Sequence, residues 1–82
     1  MSRARDVVEV VARALVDDPQ SVRVEERVDR GSVRVELTTG PGDLGRLIGR
    51  RGRTASAVRT LAEIASERDG LRVAVDFLDD EG

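Results

Sequence analysis

Apolar residues recur at Ala4, Val7, Val8, Val11 and Leu15. That is the spacing of one buried helical face, and it predicts a helix over about Arg3 to Val16. Asp17-Asp18-Pro19 ends it, because proline restricts the residue before it. The two acids would face the negative end of the helix dipole, so they read as turn residues. Beyond them the period changes to two. Val22 and Val24 alternate with Arg23 and Glu25, up to Val28. Glu26 falls in phase with the valines, which an edge strand tolerates best. Asp29-Arg30-Gly31-Ser32 is a hairpin signal. Val33, Val35 and Leu37 then alternate with Arg34, Glu36 and Thr38, giving a second strand with one buried face. The two strands are expected to pair antiparallel.

Thr39-Gly40-Pro41-Gly42 breaks the alternation. A short helix follows, with Leu44, Leu47 and Ile48 on one face. Gly40 is placed near its N-cap, Pro41 at its first position and Asp43 in its first turn. After Gly49-Arg50-Arg51-Gly52 comes a longer helix, about Arg53 to Glu67. Its expected buried stripe is Ala57, Val58, Leu61, Ile64 and Ala65, with Arg59 and Glu63 paired on the solvent side. Asp69-Gly70 ends this helix. Leu71, Val73, Val75 and Phe77 mark the last strand, and the acidic residues 79–82 are expected to fray. The order helix, strand, strand, helix, helix, strand calls for a helical crossover to the last strand. That favours parallel pairing with the second strand. The expected architecture is α+β: a three-stranded mixed sheet with three helices packed on one face, a single domain over residues 1–82.

Composition narrows the chemistry. The 82 residues include no cysteine and no histidine. Disulfides and thiolate metal sites are excluded, and the commonest general base is missing. No acid spacing resembles a calcium loop. No stretch is long enough to span a membrane, and no signal-peptide pattern opens the chain, so a soluble intracellular protein is expected. The net charge of −2 conceals a segregation. Arg46, Arg50, Arg51, Arg53 and Arg59 lie between Asp43 and Glu63 with no acid among them, while the remainder carries nine arginines against sixteen acids. An acidic protein with one basic stripe suits a local phosphate site rather than indiscriminate coating of nucleic acid. Phe77 is the only aromatic residue, and its apolar neighbours place it in the core. Modules that stack bases on surface aromatics do not fit that composition.

The stretch Leu47-Ile-Gly-Arg-Arg-Gly-Arg-Thr54 carries the candidate chemistry. Glycine lets a phosphate approach the main chain. The helix starting after Gly52 directs free N–H groups and its positive end to the same place. Arg50 and Arg51 add forked donors matched to phosphate oxygens. The second Gly-x-x-Gly, Gly42 to Gly45, contains an acid and no base, and reads as part of a helix start. Gly52-Arg53-Thr54 faintly resembles the end of a P-loop. However, the required earlier glycine is Leu47, the lysine is Arg53, and no strand leads into the loop. No enzymatic activity and no cofactor are expected.

The chain resembles a K-homology (KH) domain of the type II arrangement. Ile48-Gly49-Arg50-Arg51-Gly52-Arg53 matches the family's Ile-Gly-x-x-Gly-[Lys/Arg] signature, and it falls between two helices. Within that family it is similar to the short bacterial single-domain type, KhpA (YlqC-like), over nearly its whole length. The resemblance implies a KH loop that clamps about four nucleotides of single-stranded RNA. It also implies cytoplasmic localisation, RNA chaperone or post-transcriptional regulatory action, and links to cell-envelope control and cell shape. Gly49 to Gly52 would form the clamp, with Arg50 and Arg51 neutralising phosphates. Ile48 would floor an apolar groove, and Arg53 would add a phosphate or base-edge contact. Arg46 belongs to the same basic segment and joins the candidate set. The second strand offers few exposed apolar residues to that groove. Assembly is expected as a homodimer or a heterodimer with a larger KhpB/Jag-type KH protein. The competing expectation is a protein–protein adaptor that binds RNA weakly or not at all.

Overall fold

The computed structural model describes residues 1–78; the expected fraying of the acidic tail, 79–82, lies outside them. Three helices, α1 (Arg3–Leu15), α2 (Leu44–Ile48) and α3 (Arg53–Arg68), accompany three strands, β1 (Arg23–Asp29), β2 (Ser32–Thr38) and β3 (Arg72–Leu78). The strands lie in the order β1-β2-β3. β1 pairs antiparallel with β2, which pairs parallel with β3. Side chains alternate across the sheet. Val24, Val33, Val35, Leu37 and Val75 are buried under the helices, while Glu25, Arg27, Arg34, Arg72 and Ala74 face outward and are exposed. This is the expected α+β architecture, with the parallel pair reached through the α2–α3 crossover.

The hairpin needs two consecutive residues at positive φ, Arg30 (46°) and Gly31 (81°). That is the turn whose twist matches paired strands, and Asp29 faces Ser32 across it.

α1 begins where the chain can satisfy its free donors. The Ser2 hydroxyl accepts the Arg5 N–H at 3.1 Å. Ser2 also donates its hydroxyl and its backbone N–H to the Glu26 carboxylate. The acid that broke the valine alternation of β1 therefore fixes the start of α1 on the sheet. These bonds hold the Glu26 carboxyl below its ordinary range, the Ser2 hydroxyl contributing most and partial burial opposing it.

At the other end of α1, Val16 closes the helix and residues Pro19–Ser21 form a short 3₁₀ turn that the apolar pattern does not reveal. Asp43 is buried beside that turn. Its two carboxylate oxygens accept the backbone N–H groups of Asp17 (3.2 Å) and Asp18 (3.1 Å). One carboxylate thus ties the end of α1 to the start of α2. α2 itself starts later than expected, at Leu44. Gly40 to Asp43 form a turn closed by the Asp43 N–H on the Gly40 carbonyl at 3.2 Å, so Pro41 lies outside the helix.

α3 turns a different stripe inward from the one its largest apolar residues suggest. Ala55, Val58, Ala62 and Ser66 are buried, whereas Leu61 and Ile64 are 44% and 55% exposed and Ala57 faces solvent. α1 likewise buries Ala4, Val8 and Ala12 and leaves Leu15 and Val10 exposed. The two helices pack side by side, and small residues let them approach closely while keeping the layer dense.

Replacing Glu26 with Gln should destabilise the fold by about 1 kcal/mol at neutral pH, the scale of a charge-assisted hydrogen bond. A carboxyl whose folded pKa is depressed stabilises the fold above its unfolded pKa, and that contribution disappears as pH falls through the folded value. Urea unfolding of both proteins should therefore differ at neutral pH and converge in acid, below the ordinary glutamate range.

Candidate nucleic-acid interface

The loop between α2 and α3 is built from backbone conformations that side chains disfavour. Gly49 (φ 73°, ψ 174°) closes α2, its N–H bonding the Gly45 carbonyl at 2.9 Å. Residues Arg50–Gly52 make a single 3₁₀ turn, with the Gly52 N–H on the Gly49 carbonyl at 3.2 Å. Gly52 (φ 72°) then opens α3. A Cβ on Gly49 would lie 2.3 Å from Thr54 Oγ1 and 2.8 Å from Thr54 Cβ, so the loop lies directly on the first turn of α3. Arg51 also takes a left-handed conformation (φ 57°), which costs a non-glycine residue about 1 kcal/mol. Strain of this kind concentrates where a side chain must be presented in a fixed direction.

Three features suit the loop to an anion. α3 has no side-chain cap: the Arg53 N–H bonds the Arg50 carbonyl, and no side chain covers the positive end of the helix. Arg50 and Arg51 are exposed on the loop, and Arg53 is exposed on the first turn of α3. Among the described residues, none of these three arginines forms an ion pair. Arg46 differs. Its guanidinium lies 2.9 Å from Asp17 and 3.9 Å from Asp43, so its charge is engaged in holding the α1–α2 corner.

A groove of about 480 Å³ runs from the loop between α3 and β3. Ile48, Arg51, Gly52, Ala55, Ser56, Arg59, Asp76, Phe77 and Leu78 line it. Ile48 is 37% exposed, facing this groove while Leu47 beside it fills the core. The structure thus brings Ile48, Arg51 and Gly52 to one wall and sets Gly49, Arg50 and Arg53 alongside. The opposing strand is β3, not β2, so the scarcity of apolar residues on β2 does not limit the groove. Six of its residues, Ala55, Ser56, Arg59, Asp76, Phe77 and Leu78, lie outside the set expected from the sequence. Phe77, assigned to the core, is only partly buried. Arg59, assigned to Glu63, forms no ion pair among the described residues and lies over the Phe77 ring instead, 5.0 Å from its centroid. Helical spacing counted from Gly52 carries the missed signal: Ala55, Ser56 and Arg59 follow at intervals of three, four and seven, on the face beneath the loop.

With this geometry defined, comparison with known proteins is decisive. A family model described as KhpA/KhpB, KH domain, matches residues 5–77. The chain belongs to the KhpA/KhpB KH-domain family. It is 43% identical over 75 residues to the RNA-binding protein KhpA of Halalkalibacterium halodurans, covering 92% of this chain and 99% of that one. It is 49% identical over 71 residues to the RNA-binding protein KhpA of Leifsonia xyli, covering 85% and 90% of the two chains. Aquifex aeolicus KhpA is 39% identical over 79 residues, 96% of this chain and all of that one. Among solved structures, a variant of Aquifex aeolicus Era bound to GDP.AlF4- superposes with a TM-score of 0.67 and 18% identity. The match covers 93% of this chain and 29% of the Era chain, and it shows a shared fold. In this chain of the KhpA/KhpB family, Gly49 to Gly52 lie between α2 and α3.

Gly49 and Gly52 should differ in their tolerance of alanine. At Gly52 the space is open, so Gly52→Ala meets only the left-handed penalty, about 1 kcal/mol. At Gly49 the new Cβ also collides with Thr54, and the cost should rise to about 2–3 kcal/mol. Thermal unfolding of the two variants checks that order.

Proposed function

We propose that this chain is a non-catalytic, single-stranded RNA-binding protein that clamps the sugar-phosphate backbone with its Gly-Arg-Arg-Gly loop. One observation carries the reading: an uncapped α3 N-terminus and three arginines with no ion pair among the described residues converge beside a groove with an apolar floor. The N–H groups and guanidiniums take phosphates, and Ile48, Ala55 and Phe77 accept the bases. The relatives named RNA-binding protein KhpA support the same reading. Arg46 contributes less to binding, because it is already paired with two carboxylates. Unpaired bases are needed to occupy the groove, so duplex RNA binds worse. The protein acts in the cytoplasm as an RNA chaperone or post-transcriptional regulator.

A second observation favours assembly. Val7, Leu61, Ile64 and Ala65 form an apolar strip on the outer face of α1 and α3, rimmed by Arg3, Asp6 and Arg68. Exposed leucine and isoleucine side by side between charges of both signs suit a protein partner better than water. A second copy of this chain, or a larger KhpB/Jag-type KH protein, would cover it. Joining two loops in this way raises avidity for longer RNA without new contacts. The adaptor reading keeps this face and dispenses with the loop.

Converting Arg50 and Arg51 to Asp should abolish RNA binding in a filter assay while leaving the circular dichroism spectrum unchanged. The unaltered protein should show a log–log salt slope of about −1.5 to −3, the value for two to four phosphates on a single strand. Unchanged binding by the double variant would move the site elsewhere, whereas no binding by the unaltered protein would leave the adaptor reading standing. Ile64→Asp should shift sedimentation at micromolar concentration from dimer to monomer, alone or with the partner, and leave the affinity for a short RNA intact.

A further inference from the structure

Arg59 lies on α3 seven residues beyond Gly52, about 10 Å along the helix from the loop. The helix offers it Glu63 at i+4, the usual partner for a solvated arginine. It takes neither that partner nor any other acid among the described residues. Its guanidinium lies over Phe77 at 5.0 Å, and Nε donates to the Val75 carbonyl at 3.4 Å. The two terminal nitrogens bond to no described protein atom. The fork therefore faces a groove whose floor is Ile48, Ala55, Phe77 and Leu78, with one side of its plane resting on an aromatic ring.

This is a poor setting for a phosphate contact. Phosphate binding is served at the loop by exposed arginines and helix N–H groups. At Arg59 the apolar groups of Ala55, Val75 and Phe77 lie beside Ser56, and of the two acids nearby, Glu63 makes no ion pair with it and Asp76 is paired across the sheet with Arg34. A guanidinium sandwiched on an aromatic ring suits a nucleobase, which can stack on its free face or meet its edge. Arginine offers donors only. It pairs bidentately with an edge carrying two adjacent acceptors. Guanine presents O6 and N7. An unpaired cytosine presents O2 and N3. Adenine sets its amino donor beside N1 and N7 and offers N3 no second base acceptor, and uracil places an N–H between its two carbonyls.

We propose that Arg59 reads the base in this groove, selecting guanine or cytosine over adenine and uracil through its paired terminal nitrogens. The inference rests on the RNA-binding reading above and adds a sequence preference to it. The cation–π contact and the Val75 carbonyl hold the fork in place, so the selection costs little ordering of a long side chain.

Hexauridine RNAs carrying a single central guanosine, cytidine or adenosine provide the test, with hexauridine as the reference. The unaltered protein should bind the guanosine or cytidine oligomer roughly tenfold more tightly than the other two, within the discrimination expected of a bidentate contact. Whichever of the two is preferred identifies the base. Arg59→Lys keeps the charge but loses the planar fork. It should bring all four RNAs within about twofold of one another, the preferred guanosine or cytidine oligomer losing most and hexauridine least. Arg59→Ala should do the same with weaker binding overall, and circular dichroism verifies that both variants are folded. Equal affinity of the unaltered protein for all four RNAs overturns the inference while the RNA-binding reading survives. A uniform loss across all four in Arg59→Lys overturns it too, because it marks a phosphate contact. If the unaltered protein binds none of them, the RNA-binding reading falls and takes this inference with it.

Discussion

Small side chains where α1 meets α3 set the terms for the rest of the molecule. Ala4, Val8 and Ala12 on one helix and Val58 and Ala62 on the other are all nearly inaccessible to water. A core without tryptophan or tyrosine, and with a single phenylalanine at its margin, reaches native density only if its helices come close. Alanine and valine permit that approach; leucine and isoleucine at the same positions would hold the helices apart. Leu61 and Ile64 therefore point outward. The same choice leaves an apolar strip on the outside of the layer. Stability and exposed surface follow here from one packing decision.

The loop's geometry depends on two further attachments. Asp43 binds the backbone beyond α1 and so fixes where α2 begins, only five residues before the loop glycine closes it. Gly49 then rests against Thr54 with no room for a side chain. Between them they leave the four-residue loop little freedom. The arginines can be long and mobile at their tips because their backbone is held. A preorganised backbone clamp loses little entropy on binding, which suits a site with few contacts.

Much of the architecture is legible in the periodicity. Three strands, a hairpin, two long helices and the parallel crossover all follow from where the apolar period changes between 3.6 and 2. What periodicity conveys poorly is which of two apolar faces turns inward. α3 carries apolar residues on both sides, and hydrophobicity alone favours Leu61 and Ile64. The space beneath the helix favours Ala62 and Ser66. The Gly40–Gly42 turn was misread for a related reason. Proline and glycine suit a helix start, but the buried Asp43 carboxylate answers to α1, a long-range demand invisible locally. Within the candidate site, the Gly-Arg-Arg-Gly motif and Ile48 were legible because local chemistry defines them. Arg59 was not, because its i+4 acid offers a sufficient local explanation. Phe77 wins instead, through a contact between residues eighteen apart in sequence.

If the loop and the α3–β3 groove together form one RNA surface, a short single strand touches both. Titrating isotope-labelled protein with a short single-stranded RNA, and following its amide and arginine Nε–H resonances, tests it most directly. The account predicts shifts at Ile48 to Arg53, at Ala55 and Ser56, at the Arg59 Nε–H and along Phe77 and Leu78. The outer sheet face, at Arg27, Arg34 and Arg72, should stay silent. Shifts confined to that outer face, or absent from Gly49 to Gly52, would contradict it.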